Sequence, residues 1–283
     1  MDRRSEVLLR VISIIVCGLG VVRCDSFYCD PELCRFWNGT DYNYEDHIAC
    51  GNNGSLSEDC PEGATMVNMS QRRINLLLDL HNAARNRIAL GKIEDYLPAE
   101  SMPILKWDRE LEYIASLNVK TCKFAHDGCR NTYKYPYSGQ NIAISTQNPP
   151  FHSNSKRMKK AVARWFYEYV DANQTFIDEF SGHPEGKQIG HFAMMVADRA
   201  KRVGCAAIRY WLGEKGLAFL MTCNYDFTPI YTEPIYKTGE PASKCSKTSE
   251  KFTGLCEWDE DYDTSEESNE IFGNEIDSVP SLL

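Results

Sequence analysis

Three stretches of the chain repeat apolar side chains at helical spacing. After Ser70, a candidate N-cap, Ile74, Leu77, Leu78, His81, Ala84 and Ile88 form one stripe that Gly91 ends. A second helix is expected from Asp108 through Leu111, Ile114, Ala115 and Asn118 to Cys122. A third is paced by Met158, Ala161, Val162, Trp165 and Tyr169, with Glu168 beside the stripe. The C-terminal half changes to short apolar runs that read as strands: HFAMMVA (191–197), VGCAAIRYW (203–211) and LAFLMTCNY (217–225). In the first run Ala193, Met195 and Ala197 share the face of His191, and Phe192, Met194 and Val196 take the other. A strand covered on both sides is the expectation there, with His191 either packed in the core or aimed into a cleft.

The other two runs flank LGEKG (212–216), a hairpin signal with glycine at both sides of the turn. Cys205 and Cys223 are equidistant from residue 214, so the register sets them opposite each other, within disulfide reach. Helices combined with a small, mainly antiparallel sheet apolar on both faces specify an α+β fold, a three-layer α-β-α sandwich stapled by disulfides.

Composition adds a compartment. Arg3, Arg4 and Arg10 precede an apolar run from Val11 to Val22, too short for a membrane span, and residues 1–24 read as a signal peptide with no transmembrane anchor. Cleavage after Cys24 removes two of the twelve cysteines and leaves ten, an even number suited to a secreted protein. No CxxC pair suggests zinc or redox chemistry. Sequons at Asn38, Asn53, Asn68 and Asn173 are N-glycosylation candidates.

Residues 25–65 form a cysteine-rich N-terminal segment, 66–235 the principal domain and 236–256 a cysteine-bridged extension. Residues 257–283 form an acidic tail, read as disordered. The tail holds ten acidic side chains and no lysine or arginine, so the formal charge of -9 is -10 in the tail and +1 in the body. No basic stripe marks a nucleic-acid binder. Neither HExxH nor GxSxG occurs.

The ordered blocks LHNAARNRIALG (80–91), LKWDRELEYIA (105–115), CKFAHDGCRN (122–131), YSGQNIAIS (137–145), GHFAMMVAD (190–198) and FLMTCNYDF (219–227) resemble the superfamily of cysteine-rich secretory, antigen-5 and pathogenesis-related proteins. The likeness covers about residues 27 to 256, with the closest similarity to the fly-like antigen-5 branch of insects, and 66–235 corresponds to its CAP (SCP) domain. It implies the disulfides Cys29–Cys50, Cys34–Cys129, Cys60–Cys122 and Cys205–Cys223, which leaves Cys245–Cys256.

It also implies a cleft formed by His126, Gln140, Glu168 and His191, with Gln140 in place of the usual glutamate. An amide neither ionises nor supplies charge to a metal, so the cleft requires no cofactor and is expected to hold zinc or copper only weakly. Among alternatives read from the residues, His126 holds its loop between bridged cysteines, Glu168 is a helix-surface carboxylate, and His81 is a satisfied core histidine. The function implied is a secreted, non-enzymatic protein that binds a protein partner or a sterol, lipid or other small apolar ligand in an extracellular fluid such as venom, saliva, haemolymph or reproductive secretion. The alternative is a metal-dependent hydrolase or protease working through His126, Glu168 and His191.

Overall fold

The structure, a computed structural model, describes residues 27–182 and 186–259. The signal segment 1–24 and all of the tail after Asp259 lie outside the described residues. In the N-terminal segment, strands β1 (Arg35–Trp37) and β2 (Tyr42–Tyr44) pair as a small antiparallel ribbon. Strand β3 (Thr65–Met66), helix α1 (Gln71–Ala89), strand β4 (Lys106–Trp107) and helix α2 (Arg109–Val119) follow. Then come β5 (Gly139–Gln147), α3 (Asn154–Tyr167), α4 (Gln174–Asp178), α5 (Gly190–Val196), β6 (Arg202–Trp211) and β7 (Leu217–Tyr225).

The main sheet runs β3-β6-β7-β5, antiparallel throughout, and β4 joins β6 in parallel. Cys205 faces Cys223 across the β6–β7 hairpin at a Cα separation of 4.0 Å. The strand period divides the core in two. Cys205, Ala207, Phe219, Met221 and Tyr225 pack against α1, α3 and α5 on one face. Ala206, Ile208, Tyr210, Ala218 and Leu220 meet Ala115 and Val119 of α2 on the other. This is the three-layer sandwich expected from the pattern.

Helix α2 starts where its cap dictates: Asp108 Oδ1 accepts the amides of Glu110 and Leu111. Helix α1 occupies the expected span and buries Ile74, Leu77, His81, Ala84 and Ile88, but also Asn82 and Arg85. The Arg85 guanidinium is fully buried and donates five hydrogen bonds to the carbonyls of Pro103, Met195, Ala197 and Ala200. It thereby ties α1 to the segment carrying α5. Five disulfides join Cys29–Cys50, Cys34–Cys129, Cys60–Cys122, Cys205–Cys223 and Cys245–Cys256, the pairs that the resemblance implies.

One expected element is corrected. HFAMMVA is not a strand: residues 190–196 form helix α5. Phe192 through Ala197 are all buried, so the run is apolar whichever period is applied, and periodicity alone cannot separate the two states. The signal that was available is composition, because Ala193, Met194 and Met195 are strong helix formers and only Val196 is β-branched.

Residues 257 and 258, read as part of the tail, pack against the body. Glu257 donates its amide to Lys247 O at 2.8 Å. The Trp258 indole donates to Ile104 O at 2.8 Å, while Lys106 Nζ and Arg202 Cζ lie 4.3 and 4.8 Å from its ring centroid.

Candidate functional site

A cleft of about 630 Å³ opens between β5 and α3, lined by residues of both and by Phe124, Ala125, His126, Gln188 and His191. Its direction follows from three contacts. Arg157, near the start of α3, donates to Ser145 O at 3.3 Å; Trp165 Nε1 reaches Ile142 O at 3.3 Å; and Glu168 lies beside His191 beyond the end of α3. Helix and strand are therefore antiparallel. From Arg157 to Glu168 the groove runs about 16 Å at 1.5 Å per residue.

At one end Glu168 Oε1 accepts the Nδ1 proton of His191 at 2.6 Å, and Glu168 Oε2 accepts the Phe192 amide at 3.1 Å. A carboxylate only accepts, so the neutral His191 ring carries its proton on Nδ1 and leaves Nε2 as a lone pair. The ring lies flat against Trp165, with centroids 5.8 Å apart at 18°. Because His191 sits on the first turn of a short helix, its position depends on both α5 and the carboxylate that follows α3.

The second histidine is placed by a loop. Asp127 takes Arg130 Nε on Oδ1, and its Oδ2 accepts Asn118 Nδ2 and Gln140 Nε2, each at 2.8 Å. Gln140 Nε2 also donates to Asn224 Oδ1 at 2.9 Å, which fixes the amide so that Oε1 faces His126 Nδ1 at 2.7 Å. His126 therefore donates from Nδ1 and, like His191, presents Nε2. Part of His126 is exposed at the cleft mouth. Desolvation of its ring nevertheless pushes its pKa below the ordinary histidine value; Arg130 and His191 push the same way, and the Gln140 acceptor and Asp127 oppose them.

His126, Glu168 and His191 thus share one cleft, and Gln140 stands behind His126 rather than on the lining. His81 is elsewhere. It is fully buried, donates from Nδ1 to Leu77 O at 2.7 Å and accepts the Tyr225 hydroxyl on Nε2 at 3.0 Å. Burial holds its pKa down to about 4, so it remains a neutral core histidine. Asn141 Nδ2 connects Tyr225 to His191, donating to the Tyr225 hydroxyl and to the His191 carbonyl.

The other end of the cleft was not singled out from the sequence. Helix α3 carries Lys156, Arg157, Lys159, Lys160 and Arg164 and no acidic residue, a signal that counting charges per helix would have found. Arg157, Lys160 and Arg164 line the cleft, and Phe124, Tyr167 and Val170 stand exposed on its rim. No group of three or more His, Cys, Asp or Glu side chains is arranged to hold a metal ion among the described residues. None of the described helices is long and apolar enough to cross a membrane. All four sequon asparagines are exposed.

Comparison with known proteins places these features in context. The profile described as "Cysteine-rich secretory protein family" matches residues 78–225. The chain is 43% identical over 209 residues to "Antigen 5 like allergen Cul n 1" of Culicoides nubeculosus, covering 72% of this chain and 93% of that one. It is 36% identical over 247 residues to "Venom allergen-1" of Aedes aegypti, covering 87% and 93% respectively. Among solved structures, "Crystal structure of NaASP2 with Zn2+" superposes with a TM-score of 0.56 at 27% identity, covering 70% of this chain and 99% of that chain.

Proposed function

The chain belongs to the cysteine-rich secretory protein family, as an insect antigen-5-like member, and on that premise we propose that it is a secreted, non-enzymatic protein that binds an extracellular protein partner through the α3–β5 cleft. The observation that carries this reading is the cleft itself: open, about 16 Å long by the rise of a helix, and bordered along α3 by a row of cations. A carrier of a sterol or other small apolar ligand needs an enclosed, largely apolar cavity. Here the cleft is open to solvent, and its lining mixes Ile142, Ile144, Trp165 and Phe219 with Arg157, Lys160, Arg164, Glu168, Asp171 and both histidines. That combination suits a polar, extended segment of another protein better than a buried lipid.

Catalysis has little to work with. Glu168 uses both oxygens to hold His191 and the Phe192 amide, and Gln140 has no charge, so a general base here would have to be a histidine Nε2 rather than a carboxylate. The two Nε2 atoms would hold zinc or copper, where a bound ion would act as a Lewis acid. With two protein ligands instead of three or four, affinity would be low, and no metal is required.

A photoreactive side chain in place of exposed Tyr167, on protein secreted with its disulfides intact, tests the reading in the fluid where the protein is found. The expected result is cross-linking to a protein partner that weakens when Lys160→Glu and Arg164→Glu are introduced. Stoichiometric lipid in an organic extract, without cross-linking, would replace this reading by the carrier. Hydrolytic activity lost in His191→Ala would replace it by the enzyme.

A further inference from the structure

Strand β5 forms one border of the sheet, and its register with β7 decides which of its backbone groups are free. Asp226 N donates to Arg202 O at 3.3 Å and Leu212 N to Gly216 O at 3.0 Å, both continuing the β6–β7 register. Even-numbered residues of β7 therefore turn their amides and carbonyls toward β6, and odd-numbered ones toward β5. Across the β5–β7 register, Gly139, Asn141, Ala143, Ser145 and Gln147 bond to β7. Gln140, Ile142, Ile144 and Thr146 consequently direct their backbone groups away from the sheet, on the cleft side. The Ile142 carbonyl takes the Trp165 indole. Among the described residues, the amides of Ile142, Ile144 and Thr146 and the carbonyl of Ile144 have no partner.

A strand edge with free backbone groups between Ile142 and Thr146 is a template for strand pairing, which proteins ordinarily cover or blunt. The facing wall here is cationic. Lys156, Lys160 and Arg164 lie at i, i+4 spacing on one ridge of α3, are exposed, and form no ion pair among the described residues. Behind them the guanidinium of Arg157 lies 5.4 Å from the Phe219 ring centroid, Arg209 stands opposite Phe219 on β6, and the buried Arg209 Nε has no hydrogen-bond partner. A half-strand with free amides facing an uncompensated row of cations fits an extended acidic polypeptide, whose backbone pairs with the edge while its carboxylates meet the ridge.

We propose that the occupant is the chain's own C-terminal segment, residues 260–283, which docks along the β5 edge. This segment carries eight acidic side chains and no lysine or arginine, whereas the ridge helix carries five cations and no acid. Its origin is fixed: Trp258 is held over Lys106 and Arg202, at the end of the sheet where β5 begins and two strands from β5, with Arg202 on the α2 face, so the path to the cleft rounds the end of the sheet. That lateral distance is about 10 Å at the usual strand spacing, and 24 residues reach up to about 80 Å. Tethering gives the segment an effective concentration in the millimolar range, so weak pairing suffices. The consequence, which rests on the cleft being the binding site, is that the tail competes with the partner for it.

Hydrogen exchange on the full secreted chain tests the docking independently of any partner. At low salt the amides of Ile142, Ile144 and Thr146 are expected to exchange slowly. Replacing all eight acidic side chains of 260–283 by their amides, or introducing Lys160→Glu with Arg164→Glu, should accelerate them at least tenfold. The amides of Asn141 and Ala143, which face β7, should remain protected in every variant and so report that the sheet is intact. Combining the reversed ridge with lysines at the eight tail positions should restore slow exchange. Equal exchange at Ile144 and Thr146 in the native and neutralised-tail chains, with Asn141 and Ala143 protected, would overturn the proposal. Loss of partner cross-linking with these exchange patterns preserved would count against the binding role alone.

Discussion

Glu168 holds His191 in a single tautomer, its Oε1 2.6 Å from Nδ1 while Oε2 takes the next residue's amide at 3.1 Å. One carboxylate therefore sets both the ring and the first turn of the helix that carries it. Glu168→Ala should lower zinc affinity about 10- to 100-fold, the usual cost of removing a partner that orients a ligating histidine. Calorimetric titration of the secreted protein measures it. Unchanged zinc binding would mean that His191 is not a ligand.

Gln140→Glu changes the charge behind His126 without changing its shape. A carboxylate accepting the Nδ1 proton favours the imidazolium, so the His126 pKa, now held low mainly by desolvation, should rise by about one unit or more. A ring-proton titration followed by NMR reads this directly. A pKa that stays put would show that the side chain at 140 does not contact His126 in solution.

Arg85 supplies five donors to four carbonyls in a dry site. Arg85→Met leaves those carbonyls without partners and should destabilise the protein by about 3 kcal/mol or more. Arg85→Lys should recover only part of this, since an ammonium has three donors and no planar fork. Denaturant titration of both variants, compared by midpoint, checks the order.

Two truncations separate the anchored part of the C-terminal segment from the rest. Ending the chain after Asp259 retains Trp258 and removes only the weakly docked segment, so at low salt it should lower the melting temperature by no more than about 2–4 °C. Ending it after Cys256 removes the indole hydrogen bond and two cation–π contacts and should lower it by several degrees, roughly 1–2 kcal/mol. Scanning calorimetry distinguishes them; identical melting would mean that Trp258 adds nothing.

Acid stability should hinge on two buried groups that work in opposite directions. His81 is held down to about 4, so between pH 6.5 and 4 the unfolded chain binds the extra proton and stability falls as pH falls. Asp226 is pushed up to about 6, chiefly by burial, so between pH 6 and 4 the folded chain binds the extra proton and stability rises as pH falls. Each is worth about 3 kcal/mol at 1.36 kcal/mol per unit, and they nearly cancel. Asp226→Asn removes the second effect alone and should steepen the loss of stability below pH 6. Denaturation midpoints at pH 6.5, 5.5 and 4.5 test it, and parallel curves for both proteins would refute it.

What the sequence determined by itself is local, or depends on a symmetry of the chain. The stripes of α1, α2 and α3 follow from side chains meeting every third or fourth residue. The pairing of Cys205 with Cys223 follows from a turn centred on residue 214, because strand register is arithmetic once the turn is placed. The family resemblance carried the remaining disulfides and the cleft residues, which no spacing within the chain specifies.

Tertiary structure decided what depends on distant neighbours. GHFAMMV became a helix because burial on every side erases the period that distinguishes helix from strand, leaving tertiary packing and the grip of Glu168 on its first turn to settle it. The polar roles of His81 and Arg85 on an apparently apolar stripe rest on Tyr225 and on carbonyls 18 to 115 residues away in sequence. The tail's first residues packed because Lys106 and Arg202, adjacent only through the parallel pairing of β4 with β6, form a cationic seat for Trp258. Composition predicts how a segment behaves in water; it does not reveal which surface the fold will bring within reach.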